Sequence, residues 1–269
     1  MTGNSQGTVL FITGAFIGNN CWDEWKLYFE SKGYTCIAPA WPYKEASPEE
    51  LRNKPAIDAI TSNTVASLTT YFVSIISDLN EKPILIGHSL GGLIVQVLMQ
   101  REMGVVGVAM HSFPPQGINK FRLSFVKAIW EAMVLFSSGK TTYLMSFNKW
   151  RYAVANGLDF EQQKELYYLY ATPESKKIIR EAFSCVAKID FGKPHPPLLI
   201  TSGSKDKLIP ASVNYNNYKK YANDNSVTEY MEFKTHTHLV FGVPQWKEEA
   251  DAVLHWLQGF GKSNHHQET

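Results

Sequence analysis

Short apolar segments alternate with longer amphipathic segments along most of the chain. The apolar segments are rich in β-branched residues and too short for helices, which favours strands buried on both faces. They lie at residues 8–13, 34–39, 83–86, 105–110 and 197–203, and residues 227–233 alternate like an edge strand. We predict a helix over residues 63–80, capped by Ser62 or Asn63, and an apolar helix over residues 92–100. This alternation predicts the α/β class, with a doubly wound, mostly parallel sheet covered on both faces.

The strand pattern stops after residue 115 and returns at residue 194. Helical periodicity takes over between them, so we predict a helical insertion at residues 116–193. The core is then formed by residues 1–115 and 194–260. The polar residues 261–269 are predicted to be a disordered tail.

The predicted insertion contains its own helix signals and many aromatic residues. Apolar residues recur every four positions at Phe121, Phe125, Ile129 and Met133. Asp159 with Gln162 is typical of a helix cap, and Thr172 followed by Pro173 indicates a helix start. We expect most of the aromatic side chains to pack inside the insertion and a minority to line an apolar pocket. The loop at residues 41–43 is expected to reach the same pocket.

Composition argues against several classes of partner. The chain of 269 residues has 44% hydrophobic and 19% charged residues, a net charge of +1 and a pI near 7.7. These values give no electrostatic reason to expect binding to nucleic acid or to an anionic membrane. No apolar run is long enough for a membrane span. The charged residues 44–54 are predicted to be solvated surface without chemistry, and nothing in the pattern indicates an oligomeric state.

The cysteine count and the first residues bear on the compartment. Residues 1–7 are polar and do not resemble a secretory signal. The three cysteines are an odd number without metal-ligand spacing, which suits a reducing interior. We therefore expect a cytoplasmic protein.

A G-x-S-x-G motif lies between a predicted strand and a predicted helix. It reads Gly87-His88-Ser89-Leu90-Gly91. A serine in a strained turn at the tip of a strand brings backbone so close that a Cβ at either glycine would clash. The context predicts a nucleophile elbow with Ser89 as the nucleophile.

A serine hydroxyl needs a general base and a group that orients the base. Asp206 follows the strand at residues 197–203, and both His236 and His238 follow the strand at residues 227–233. The order Ser, Asp, His is that of α/β-hydrolases rather than of chymotrypsin or subtilisin.

Two further histidines lie at predicted strand ends. The strand at residues 105–110 ends in His111 without a carboxylate, which favours Asp206 as the acid. We interpret His111 as a structural or pocket-wall residue, because one base near Ser89 is already available. His88 is interpreted as a packing residue beneath the elbow.

From Thr8 to about Trp256 the sequence resembles the α/β-hydrolase superfamily, specifically the compact esterase and haloperoxidase-like branch with a helical cap. The resemblance implies that the insertion is this cap. Gly203, Asp206 and the apolar-Pro pair at residues 209–210 match the acid loop of the family. Phe233, His238 and Leu239 match the register of its catalytic histidine. On this register we assign His238 as the base, with His236 as the alternative.

The family also implies an oxyanion hole built from two backbone amides. Thr13 stands where the family generally has a histidine before a glycine, a change that removes no backbone donor. By analogy the donors are the amides of Ala15 and Leu90, with Phe16 as the alternative to Ala15. The loss of one such donor typically costs about 3–4 kcal/mol of transition-state stabilisation.

Together these features predict a serine hydrolase that cleaves a carboxylic ester, lactone or thioester of a small to medium apolar substrate through an acyl-enzyme. No cofactor and no metal are expected. The same triad would serve an acyltransferase, a perhydrolase or a C–C hydrolase. The resemblance also leaves open a receptor-like protein that binds a ligand with little turnover.

Overall fold

A computed structural model of the chain describes residues 6–54, 58–118, 142–182, 187–221 and 226–261. Its strands are β1 (Thr8–Ile12), β2 (Thr35–Ile37), β3 (Ile84–His88), β4 (Val106–Met110), β5 (Thr142–Tyr143), β6 (Glu174–Ser175), β7 (Leu198–Gly203) and β8 (Thr228–Phe233). Six strands form one parallel sheet in the order β2-β1-β3-β4-β7-β8. The predicted α/β class with a parallel sheet is confirmed.

Among the described residues, helices lie between the strands and after the last strand. They are α1 (Asp23–Glu30), α2 (Pro48–Asn53), α3 (Val65–Ser77), α4 (Leu90–Gln100), α5 (Phe147–Ala153), α6 (Phe160–Tyr170), α7 (Lys176–Ala182), α8 (Ala211–Tyr221) and α9 (Trp246–Gly261). Short 3₁₀ turns occupy Asn19–Trp22 and Asp58–Ser62. Among the helices that the structure describes, none is both long enough and apolar enough to cross a bilayer.

Two hydrophobic clusters lie on opposite faces of the sheet, because successive side chains of a strand alternate in direction. Val9 and Phe11 of β1 pack with α1 and α9, whereas Leu10 and Ile12 pack with α3 and α4. All side chains of β3 and β4 are buried. This is why the strands appear in the sequence as nearly continuous apolar runs.

The helix predicted over residues 63–80 is shorter at both ends, and its predicted cap is wrong. Thr64 is the N-cap of α3, and its hydroxyl accepts a hydrogen bond from the Ser67 amide at 2.9 Å. The side chain of Asn63 instead donates to the Pro42 carbonyl at 2.9 Å. The tertiary contact therefore takes Asn63 away from the helix end.

The segment between β4 and β7 is not wholly helical in its described part, because β5 and β6 form an antiparallel pair. That pairing also makes the predicted helix start at Thr172 and Pro173 wrong, since α7 begins at Lys176. The cap at Asp159 is confirmed, with its side chain accepting from the Gln162 amide at 2.9 Å. The predicted repeat at Phe121, Phe125, Ile129 and Met133 lies outside the described residues.

The division into a core and a cap remains a prediction. Gly261, the first residue of the predicted tail, ends α9 instead, and residues 262–269 lie outside the described part of the chain.

Candidate active site

The carboxyl ends of the parallel strands meet at one edge of the sheet. Ser89 directly follows β3, His111 directly follows β4, Asp206 lies in the loop after β7, and His238 lies in the loop after β8. In open parallel sheets this edge is where sites form. The order of the strands thus brings together residues that are far apart in the sequence.

Ser89 lies in a turn that tolerates only glycine at the flanking positions. Its φ of 55° and ψ of −117° are strained for a non-glycine residue. A Cβ on Gly87 would lie 2.3 Å from the Gly91 carbonyl oxygen, and a Cβ on Gly91 would lie 2.1 Å from the Ile12 carbonyl oxygen. The close backbone contacts that the motif predicts at the two glycines are therefore present.

The structure brings Ser89, His238 and Asp206 into one hydrogen-bonded chain. The Ser89 hydroxyl donates to His238 Nε2 at 3.0 Å, and His238 Nδ1–H donates to Asp206 Oδ2 at 2.8 Å. All three residues are buried. The arrangement can remove a proton from the serine and hold the resulting imidazolium beside a carboxylate.

Asp206 is held as an ionised carboxylate. Its Oδ1 accepts hydrogen bonds from the amides of Leu208 and Ile209 at 2.8 Å and 2.7 Å. Burial acts to raise the pKa of Asp206, but His238 and hydrogen bonds from His111 and His238 outweigh it and lower the pKa to about 2. Asp206 therefore stays charged throughout the physiological range.

His236, the alternative base, does not reach Ser89. Its Nε2–H donates to the Gln245 carbonyl at 3.2 Å, and its ring packs on Phe233 with centroids 4.8 Å apart. The side chain is only 3% exposed, so it is packed inside the protein rather than free in solvent.

The residues predicted to supply the amide donors line the same cleft as Ser89. Ala15 and Leu90 line the cleft above the serine, and neither amide has a hydrogen-bond partner among the described residues. The amide of Phe16, the alternative donor, is directed at Glu174 Oε2 at 3.4 Å. Phe16 also has a positive φ of 67°. The geometry favours Ala15 over Phe16.

A buried ion pair supports this turn, and the sequence analysis missed it. Lys44 Nζ lies 2.7 Å from Glu174 Oε2, and both side chains are almost fully buried. The prediction that residues 44–54 are solvated surface without chemistry is therefore wrong at Lys44. The pair links the loop after β2 to β6 and to the turn at Phe16.

An apolar cleft opens above Ser89 and encloses about 690 Å³, counting the space at its mouth. Its apolar wall includes Phe16, Ile17, Phe113, Met145, Trp150 and Leu208. Within the described residues no Asp, Glu, Lys or Arg side chain lines it. Of the aromatics in the predicted cap, Trp150 faces the cleft, whereas Tyr167 packs against Trp150. The loop at residues 41–43 does not line the cleft, contrary to expectation.

His88 supports the loop that carries His238. Its Nε2–H donates to the backbone carbonyl of His238 at 2.8 Å, and the two rings lie 4.8 Å apart. Burial and then the neighbouring His238 lower the pKa of His88 well below its ordinary value, so the ring is neutral. The position beneath the elbow agrees with the interpretation of His88 as a packing residue.

His111 lies behind Asp206 and does not line the cleft. Its Nδ1 is 3.3 Å from Asp206 Oδ2, and its Nε2 is 3.3 Å from Glu249 Oε2. Sequence reasoning missed Glu249 altogether. A signal was present, because Glu249 shares the helical stripe of the buried residues Val253 and Trp256 on α9.

The ligand atoms of His111, Asp206 and His238 all lie within 4.8 Å of one another, a spacing that can accommodate a metal ion. Hydrogen bonds of 2.8 Å and 3.3 Å already join these atoms. We do not propose a metal here, and a metal-free site remains a prediction.

Comparison with known proteins connects this geometry to a family. The profile of the Alpha/beta hydrolase family matches residues 9–253. A similar solved structure is a monoacylglycerol lipase from Paleococcus ferrophilus, with 22% identity, coverage of 94% of each chain and a TM-score of 0.68. A methylesterase from Arabidopsis has 16% identity, coverage of 93% of this chain and 98% of that chain, and a TM-score of 0.66. Methylketone synthase I from tomato has 16% identity, coverage of 94% of this chain and 98% of that chain, and a TM-score of 0.66. At these identities the structures show a shared fold. No curated protein sequence matches the chain.

Proposed function

The chain belongs to the alpha/beta hydrolase family, and on this premise we propose that it is a serine hydrolase that cleaves carboxylic esters of small to medium apolar substrates. The observation that carries the proposal is the hydrogen-bonded chain Ser89–His238–Asp206 at the base of an apolar cleft. Lactones and thioesters present the same carbonyl chemistry and belong to the same proposal.

The first half of the reaction forms an acyl-enzyme. Ser89 Oγ attacks the substrate carbonyl carbon while His238 Nε2 takes the hydroxyl proton, at a starting distance of 3.0 Å. Asp206 holds the ring by Nδ1 and stabilises its positive charge. His238 then returns the proton to the leaving alkoxide, so that the carbon–oxygen bond breaks and an alcohol departs.

The second half releases the acid. A water molecule attacks the acyl carbon and gives a proton to His238. His238 then returns this proton to Ser89 Oγ as the bond between the acyl carbon and Oγ breaks, which regenerates the serine hydroxyl and releases the acid. The negative charge that develops on the carbonyl oxygen in both halves would be met by the amides of Ala15 and Leu90. Their lack of other hydrogen-bond partners among the described residues supports this role.

The cleft supports a neutral, apolar substrate. A charged group inside it would lose water without meeting an ionic partner among the described residues, which is unfavourable. Two of the similar structures bear names of ester-cleaving enzymes, a monoacylglycerol lipase and a methylesterase, which supports the same class.

The proposal is tested by labelling and turnover of the purified protein. We expect covalent labelling by a fluorophosphonate and hydrolysis of neutral p-nitrophenyl esters, with kcat/KM rising as the acyl chain lengthens until the cleft is filled. A p-nitrophenyl ester with a carboxylate at the end of its acyl chain should react roughly tenfold or more slowly than its neutral isostere. Absence of both labelling and turnover, with an apolar ligand still bound, would instead favour a receptor.

Replacing Asp206 with asparagine should lower kcat by about 10³–10⁴-fold with little change in KM. The amide removes the negative charge and can turn a donor toward Nδ1, which disfavours the tautomer that accepts the serine proton. Steady-state kinetics on a p-nitrophenyl ester would measure the loss. The matched control is Asp190→Asn, at an exposed aspartate. If the control lost as much activity and Asp206→Asn did not, Asp206 would not be the acid.

A further inference from the structure

Behind the proposed triad, one buried histidine joins two buried carboxylates. His111 Nδ1 lies 3.3 Å from Asp206 Oδ2 and Nε2 lies 3.3 Å from Glu249 Oε2, with all three side chains fully buried. The other oxygen of Glu249 accepts a hydrogen bond from the Thr201 hydroxyl at 2.7 Å. The reaction steps above do not involve His111, Glu249 or Thr201.

The backbone of His111 adopts a strained conformation at this position. Its φ of 43° is in the left-handed region, which few non-glycine residues adopt. Gly203 of β7 lies against the ring, and a Cβ there would be 2.9 Å from His111 Cε1. A strained backbone that brings a polar ring to a site is typical of functional positions.

The two contacts fix the protonation state of the ring. A carboxylate accepts hydrogen bonds and donates none, so both nitrogens of His111 must carry a proton. Burial acts to lower the pKa of His111, but the charge of Glu249 and hydrogen bonds to Asp206 and Glu249 raise it to about 9. The other titratable rings nearby are those of His88, at 6.1 Å between centroids, and His238, at 6.2 Å. Burial acts to raise the pKa of Glu249, but the charge of His111, hydrogen bonds from His111 and Thr201, and finally His236 outweigh it and lower this pKa.

We propose that His111, held by Glu249, is a positioning residue that orients Asp206 toward His238. The catalytic part of this inference rests on the proposed function. The charge relation is a property of the folded protein and exists whether or not an ester is cleaved.

The effect on Asp206 follows from its contacts. Asp206 and Glu249 bring two negative charges to the back of the site, and His111 compensates one of them. Without His111, Asp206 Oδ2 would keep only the hydrogen bond to His238 among the described residues, and the carboxylate would be held less firmly toward His238 Nδ1.

The test is NMR of the histidine side chains of the free protein, with no substrate present. His111→Asn is the first variant, because asparagine tolerates a positive φ but is too short to span Asp206 and Glu249. We expect the signal of the His238 Nδ1 proton, which reports the hydrogen bond to Asp206, to shift or broaden in this variant. We also expect His111 of the wild type to remain protonated at neutral pH. An unchanged His238 Nδ1 signal, or a neutral His111 at pH 7, would overturn the proposal.

Glu249→Gln tests the contact between His111 and Glu249. It also tests the proposal if His111→Asn does not fold. Glutamine keeps the shape and can still accept from Thr201, but His111 loses one of its two carboxylates. The His111 midpoint should then fall below its wild-type value, and an unchanged midpoint contradicts the proposal. His255→Asn, at an exposed position on the same helix as Glu249, is the control that should leave the His111 midpoint and the His238 Nδ1 signal in place.

Kinetics separate this inference from the proposed function. If the wild type cleaves esters, His111→Asn should lower kcat tenfold to a hundredfold with little change in KM. A merely structural role would lower thermal stability and leave both the kcat of the folded protein and the His238 Nδ1 signal in place. If the wild type is neither labelled nor active, the proposed function fails, while the NMR titration still decides the role of His111.

Discussion

Replacing Ser89 with alanine is expected to abolish covalent labelling and to lower kcat for ester hydrolysis by roughly 10⁴-fold or more. The hydroxyl is the only group at the base of the described cleft that donates to His238 Nε2, so its removal leaves the base without a nucleophile to activate. Binding in the apolar cleft does not depend on that oxygen. A non-hydrolysable ester analogue should therefore bind the variant about as tightly as the wild type.

The Ser89→Ala result needs a fold control because Ser89 lies in a strained turn. Circular dichroism and a thermal melt should match the wild type, since alanine removes a single oxygen and leaves the backbone unchanged. The matched variant is Ser77→Ala, an exposed serine whose hydroxyl donates within α3, and it should keep full labelling and activity. Retention of hydrolysis by Ser89→Ala would contradict the serine-hydrolase proposal.

Much of the fold could be predicted from sequence because its strands are buried on both faces. Such strands appear as continuous apolar runs, and the predicted ranges differ from β1, β4 and β7 by only one residue at one end. The glycines around Ser89 carried a second strong signal. Their spacing reflects backbone contacts so close that no other residue fits.

What the sequence could not provide was pairing between distant polar residues. Lys44 and Glu174 are 130 positions apart, and each by itself is typical of a surface residue. Glu249 lies 138 positions from His111 and appears as one acid on an amphipathic helix. Their roles depend on the tertiary fold, because each of these charges is buried where the fold places an oppositely charged partner beside it.

The choice between the two histidines of the last loop tests the candidate site most directly. His238→Ala is expected to lower kcat by roughly 10⁴-fold or more, because no other side chain accepts a proton from Ser89 in the described structure. The loop itself should survive this change. His88 donates to the backbone carbonyl of residue 238, a contact that alanine leaves intact.

His236→Ala, two residues away, is the matched control and should keep most of the activity. Its side chain bonds to the Gln245 carbonyl and packs on Phe233, so its loss should lower the melting temperature while leaving kcat and KM close to the wild-type values.

The two variants make an informative pair because both histidine side chains are buried and lie two residues apart, but point in different directions. A general base must reach the serine oxygen and accept orientation from Asp206, and His238 meets both conditions through hydrogen bonds of 3.0 Å and 2.8 Å. If His236→Ala were inactive and His238→Ala active, the loop after β8 would have to adopt another register during turnover, and the assignment of the base would be wrong.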